Sequence, residues 1–309
     1  MKTLDDPDVK LPEPKRRELA HVVEVIQAGF ARAIRHRTME RFRNGKLLKI
    51  ILFGSYARGD WVEDPIGRYF SDYDILVVVD HEDLTNVSEF WTATEERFLG
   101  DLTEGKVLRT PVSLIYHSLD DVNEKLRLGR YFFMDILRDG ILLHDEPHHA
   151  FAEPKQLSSG EALRETRSYF EEWFESASDF LDSARDATAK GKDKLAAFLL
   201  HQATERFYHC VFLVRALYSP KTHNLNRLRA LTEQLEPTLQ TVWLSNERGH
   251  KRAYNLLREA YIKARYSREY EITTNEIAWL NERVTDLQTR VSTICLTRIA
   301  ELTNRQSPA

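Results

Sequence analysis

Cysteine is nearly absent from the 309 residues: there are two, Cys210 and Cys295, each inside an apolar helical pattern. Two thiols so placed exclude a disulfide scaffold and fit a reducing compartment. Long apolar runs are also missing, so no segment reads as membrane-spanning. The polar, proline-marked start MKTLDDPDVKLPEPKRRE lacks the apolar core of a signal peptide. The expectation is a cytoplasmic protein without membrane contact. Nor is there an excess of positive charge. Lys and Arg number 44 against 48 Asp and Glu, a net charge of -4, which excludes bulk electrostatic capture of nucleic acid; no stable DNA binding is expected. Internal repeats and low-complexity tracts do not occur.

What is present suffices for two cores: the length and a hydrophobic content of 42% describe an ordinary globular protein of two domains. Leu19, Val22, Val23, Ile26, Phe30, Ala33 and Ile34 recur at helical spacing, and Asn44 and Gly45 end that helical stretch. The apolar runs LLKIILF, YDILVVV, TPVSLIYH and GILLH read as strands, with ATEERFLGDL and 119–139 as helix between them. This is an α/β unit. A polar, proline-bearing hinge follows near 145–156. Beyond it, 159–189, 193–218, 225–235, 247–266 and 275–301 all read as helix, the last with Thr273 and Glu276 placed for a capping box. The fold expected is an α/β N-terminal domain, a mixed sheet flanked by helices, over 15–145, followed by an all-α bundle over 157–303.

One basic cluster stands out: Arg32, Arg35, Arg37, Arg41, Arg43, Lys46 and Lys49 against Glu40 alone. It reads either as a solvated helix face or as a rim for a polyanion.

The chemistry concentrates in FGSYARGDWVEDPIGRYFSDYDILVVVD, 53–80. Gly54 lets backbone approach a ligand, and Ser55 offers a hydroxyl and an amide where a helix begins, which suits phosphate. Asp72 and Asp74 are two apart, so on a strand both carboxylates leave one face and can share a divalent cation completed by phosphate oxygens and water.

Gly54-Ser55, Ala57-Arg58-Gly59 and Ser71-Asp72-Tyr73-Asp74-Ile75 before an apolar strand resemble the signature of polymerase-β-like nucleotidyltransferases, especially the small bacterial ones. The resemblance implies Mg2+ on Asp72 and Asp74 and an NTP, ATP in the first instance, with its phosphates on the Gly54-Ser55 turn. It also implies in-line attack of an acceptor on the α-phosphate. Arg58 and, in an unusually long loop, Arg68 are further phosphate contacts. One departure concerns chemistry: a third carboxylate belongs on the later strand, and here Ser113 stands in its place. Glu63, Asp64, His117 and Asp120 are the available substitutes, and nothing in the sequence selects one.

AAFLLHQATERFYHC, SPKTHNLNRL and YIKARYS resemble the HEPN domains, helical bundles often fused to small nucleotidyltransferases. The resemblance implies a homodimer formed through the bundle, with His223, Arg265 and Tyr266 as its candidate site. Ribonuclease members carry Arg four to six residues before His, a spacing absent from 157–309. His201, Glu205 and His209 lie on one side of a helix, as a polar face, an interface or metal ligands. The activities in view are NMP transfer to an RNA, protein or small-molecule hydroxyl, including an aminoglycoside. The alternatives are a nucleotide-binding regulatory module of toxin-antitoxin type and a HEPN ribonuclease under N-terminal control.

Overall fold

The computed structural model describes residues 1–35, 37–61, 63–64, 69–220, 222–244, 247–267 and 269–305, with backbone alone at 63, 64, 69, 70, 265 and 266. The chain divides into two compact units, Met1–Gln156 and Leu157–Ala309.

The first unit runs β1 (Lys2–Thr3), α1 (Glu13–Ile34), α2 (Glu40–Arg43), β2 (Leu47–Phe53), α3 (Gly54–Arg58), β3 (Glu63–Asp64), β4 (Tyr69–Phe70), β5 (Tyr73–Val79), α4 (Thr92–Glu104), β6 (Val112–Ser118), α5 (Leu119–Arg127), α6 (Tyr131–Asp139) and β7 (Ile141–Asp145). Its mixed sheet has the order β1-β7-β2-β5-β6, and β3 pairs separately with β4. Strand β5 is antiparallel to β2 and parallel to β6. Parallel pairing requires a crossover, which α4 supplies. The stretch expected as one helix up to Asn44 is instead two: α1 stops at Ile34, and α2 is a single turn ended by Asn44.

Side-chain alternation gives the sheet two buried faces. Ile50, Leu52, Tyr73, Ile75 and Val77 join one core with Leu19, Val22 and Ile26 of α1 and with Phe90, Trp91 and Phe98. The other face meets α5 and α6: Phe132 packs edge-on against Phe53 at 5.5 Å, and Phe133 against His117 at 5.1 Å. Burial on both faces explains why β2 and β5 read as unbroken apolar runs.

The second unit is helical: α7 (Ser159–Ala189), α8 (Asp193–Ala216), α9 (Leu225–Leu235), α10 (Arg248–Tyr266) and α11 (Thr274–Asn304). Capping boxes start α7, from Ser158 and Glu161, and α11, from Thr273 and Glu276. On α11, Ile277, Leu280, Val284, Leu287, Val291 and Cys295 are fully buried. The buried stripe runs through Cys295 to Leu302 and leaves Ile294 half-buried, because a step of four from Val291 keeps the face toward α8. There Cys210 lies 3.8 Å from Cys295, sulfur to sulfur. Among the described residues no helix is long and apolar enough to cross a membrane.

Candidate active site

The register of the sheet builds the site. Phe53 pairs with Asp74, and Asp74 with Ser113, so these three form one row across β2, β5 and β6. Chain direction puts the end of β2, where α3 begins, at the same edge as the starts of β5 and β6. Gly54 takes φ 74, a left-handed conformation that glycine adopts without strain, and Gly59 closes α3 with φ 86. Between them Ser55 is buried, and its Oγ has no hydrogen-bond partner in the protein. A buried hydroxyl without a partner costs about 1–3 kcal/mol, which a phosphate oxygen would relieve.

Asp74 is 2% exposed and Asp72 directly precedes β5. Burial pushes the Asp72 carboxyl up to about 6. A desolvated carboxylate of this kind gains most from a cation. Asp72, Asp74 and the Ser55 hydroxyl therefore fit a divalent ion that carries phosphate ligands. Among the described residues there is no cluster of three or more His, Cys, Asp or Glu able to hold a metal.

Ser113 occupies the row where a third acid would complete the set, directly beside Asp74. Two of the four substitutes are corrected by the fold. His117 pairs with Val78, four residues and about 13 Å along the strand from Ser113, and bonds Asp121 at 2.7 Å. Asp120 lies past the far end of β6, on α5. The side chains of Glu63 and Asp64 are outside the described residues, as is Arg68. Arg58 is engaged by an acid: its Nε donates to Asp60 at 3.2 Å.

Three of the seven cations of the basic cluster meet acids. Arg37 donates to the Glu89 carboxylate at 2.6 Å and to its carbonyl at 3.0 Å, Arg41 meets Asp83 at 3.1 Å, and Lys49 is buried against Asp145.

In the helical unit, His201 donates from Nδ1 to the Leu257 carbonyl, 2.9 Å, and turns Nε2 toward Glu205, 3.3 Å. His223 bonds the other Glu205 oxygen at 3.0 Å and stacks on Tyr261, centroids 4.9 Å apart. Burial opposes the charge on Glu205, but the hydrogen bonds from both histidines prevail and hold its carboxyl below the usual range. His209 instead meets the Ser219 hydroxyl, and burial lowers its imidazole to about 4. These three helix residues thus form a buried polar network. Spacing on α8 revealed the histidines and the glutamate, and Ser219 and Tyr261 lie in the stretches SPKTHNLNRL and YIKARYS, but nothing in the sequence joins them, or Leu257, to α8. The side chains of Arg265 and Tyr266 are outside the described residues.

A glycine turn after a central strand, followed by an acid pair at the start of its antiparallel neighbour, is the frame of a nucleotidyl-transfer domain. Residues 34–127 match the family model of the Nucleotidyltransferase domain, and residues 170–289 that of the HEPN domain. The chain is a fusion of a nucleotidyltransferase domain with a HEPN domain. No curated protein matches it.

Proposed function

We propose that the protein binds an NTP, ATP in the first instance, with Mg2+ and transfers its NMP to an acceptor hydroxyl slowly, because Ser113 stands on β6 where an acid would deprotonate the acceptor. The observation that carries this reading is the row Phe53–Asp74–Ser113, with two acids at its edge and a hydroxyl in the third position. The ion, when bound, neutralises charge on the phosphates and leaving pyrophosphate. Asp72 and Asp74 hold it, the Gly54–Ser55 turn receives phosphate oxygens, and the acceptor oxygen forms a bond to the α-phosphorus as the bond to pyrophosphate breaks. Ser113 has no charge with which to draw off the acceptor proton at neutral pH.

The same serine favours a second reading, a nucleotide-binding regulatory module of toxin-antitoxin type in which transfer has been lost. Incubation with each α-labelled NTP and magnesium, alone and with tRNA or lysate, separates the two. Label transferred to an acceptor supports the enzyme; nucleotide binding without transfer supports the module; loss of neither function in Asp72→Asn overturns both.

A further inference from the structure

A cavity of about 840 Å3 opens beside the candidate site, on the Tyr73 side of the strand ends. Three of its wall residues are close in sequence to the site. Tyr56 follows Ser55, Ser71 precedes Asp72, and Thr110 precedes Pro111, whose carbonyl accepts from the Tyr73 amide at 2.8 Å. Lys15, Arg17, Lys106 and Arg109 bring four cations to it.

Among the described side chains, Glu18, Glu13 and Glu104 meet these cations, and Asp60, which precedes Trp61, pairs with Arg58. Glu18 is turned inward, where it accepts from the amides of Arg109 and Thr110 at 3.2 and 3.1 Å and sits 4.0 Å from Lys15. Glu13 and Glu104 pair with Arg17 and Lys106, but both pairs are exposed and readily exchange for another anion. Lys15 is anchored by donation to the Thr110 hydroxyl, 2.7 Å, and its ammonium lies 5.5 Å over the Tyr56 ring. Tyr56 in turn contacts Tyr73 at 4.5 Å and stacks on Trp61 at 5.2 Å, nearly parallel. Trp61, at the end of this column, is half-buried.

Cations around a cavity with an aromatic column ending in a half-buried indole match a backbone of phosphates with unpaired bases. The geometry points to a single-stranded nucleic acid, RNA in the first instance, as the acceptor: its phosphates lie along Arg17, Lys106, Arg109 and Lys15, a base rests on Trp61, and its end passes round the start of β5, from the Tyr73 face to the opposite face where Asp72 and Asp74 stand. This rests on the nucleotidyltransferase reading and names the acceptor class for it. The negative net charge of the whole chain is no obstacle, since the contacts are local.

The test is the binding of a short, unstructured, fluorescein-labelled RNA to the full chain, measured by anisotropy across a salt series without NTP. Binding of labelled ATP with magnesium is measured in parallel. Each phosphate contact contributes about 0.7 to the slope of log affinity against log salt for single strands. The triple variant Arg17→Ala, Lys106→Ala, Arg109→Ala should therefore lose about two units of slope and leave ATP binding unchanged. Trp61→Ala should weaken RNA about tenfold with little change in slope. Absence of RNA binding at low salt overturns the proposal, as does equal RNA binding by wild type and both variants. An equal loss of ATP binding in the triple variant assigns the cavity to the nucleotide and also overturns it, as does label transferred only to protein at a rate the triple variant leaves unchanged. Failure of the nucleotidyltransferase reading shows separately, as ATP binding indifferent to Asp72→Asn.

Discussion

Ser113 stands in register beside Asp74 on the parallel neighbour strand. A carboxylate there would share the sheet face of Asp74. Ser113→Asp is expected to raise NMP transfer by about 10²- to 10⁴-fold, the usual contribution of a general base, with little change in NTP affinity. Single-turnover rates with α-labelled NTP check it; an ordinary wild-type rate slowed by Ser113→Asp would show that another residue completes the site.

Asp72 sets function against stability. Its folded carboxyl titrates near 6 against an ordinary 3.8, so the unfolded chain ionises first and stability falls as pH rises from about 4 to 6. Asp72→Asn should therefore stabilise the metal-free protein at pH 7 by up to roughly 3 kcal/mol while abolishing magnesium-dependent NTP binding. Asp74→Asn should abolish that binding too. Urea unfolding and nucleotide titration of the same samples provide both readings.

His209 acts at the opposite end of the pH scale. Its imidazole is lowered to about 4 from 6.5, so the contribution is complete above pH 6.5 and is lost as pH falls toward 4, when the unfolded chain takes up the proton first. The loss amounts to roughly 3 kcal/mol. Urea midpoints between pH 7 and 4 should drop steeply for wild type and less so for His209→Asn.

The helical unit exposes Leu195, Leu244, Ile262 and Leu296, at 46%, 67%, 62% and 52%. Light scattering at micromolar concentration is expected to give a dimer mass, and Ile262→Glu with Leu296→Glu a monomer. A wild-type monomer would remove the dimer.

Local signals carried most of the architecture. The bounds of α7 were legible because Ser158 and Glu161 close a capping box, and the acid pair was legible because its members are two residues apart. Even the position of Ser113 could be read, because TPVSLIYH matches the later strand of the family that the N-terminal motif resembles. Contacts distant in sequence could not. Nothing in MKTLDD announces that Lys2 pairs with Ile141, and the cavity cations come from α1 and from 106–109, whose meeting only packing decides. Nor could the partners of Arg37 and Arg41 be read from the charge cluster: Glu89 and Asp83 lie more than forty residues away.

The row Phe53–Asp74–Ser113 also has a kinetic meaning. The members of the first pair are 21 residues apart, whereas those of the second are 39 apart and wait for the crossover through α4 to bring β6 alongside β5. Non-local parallel pairing forms slowly because the chain entropy is spent before any contact is gained. During refolding, recovery of helical signal in the second unit should precede recovery of nucleotide binding, and Ser113 should be the last of the three to take its place.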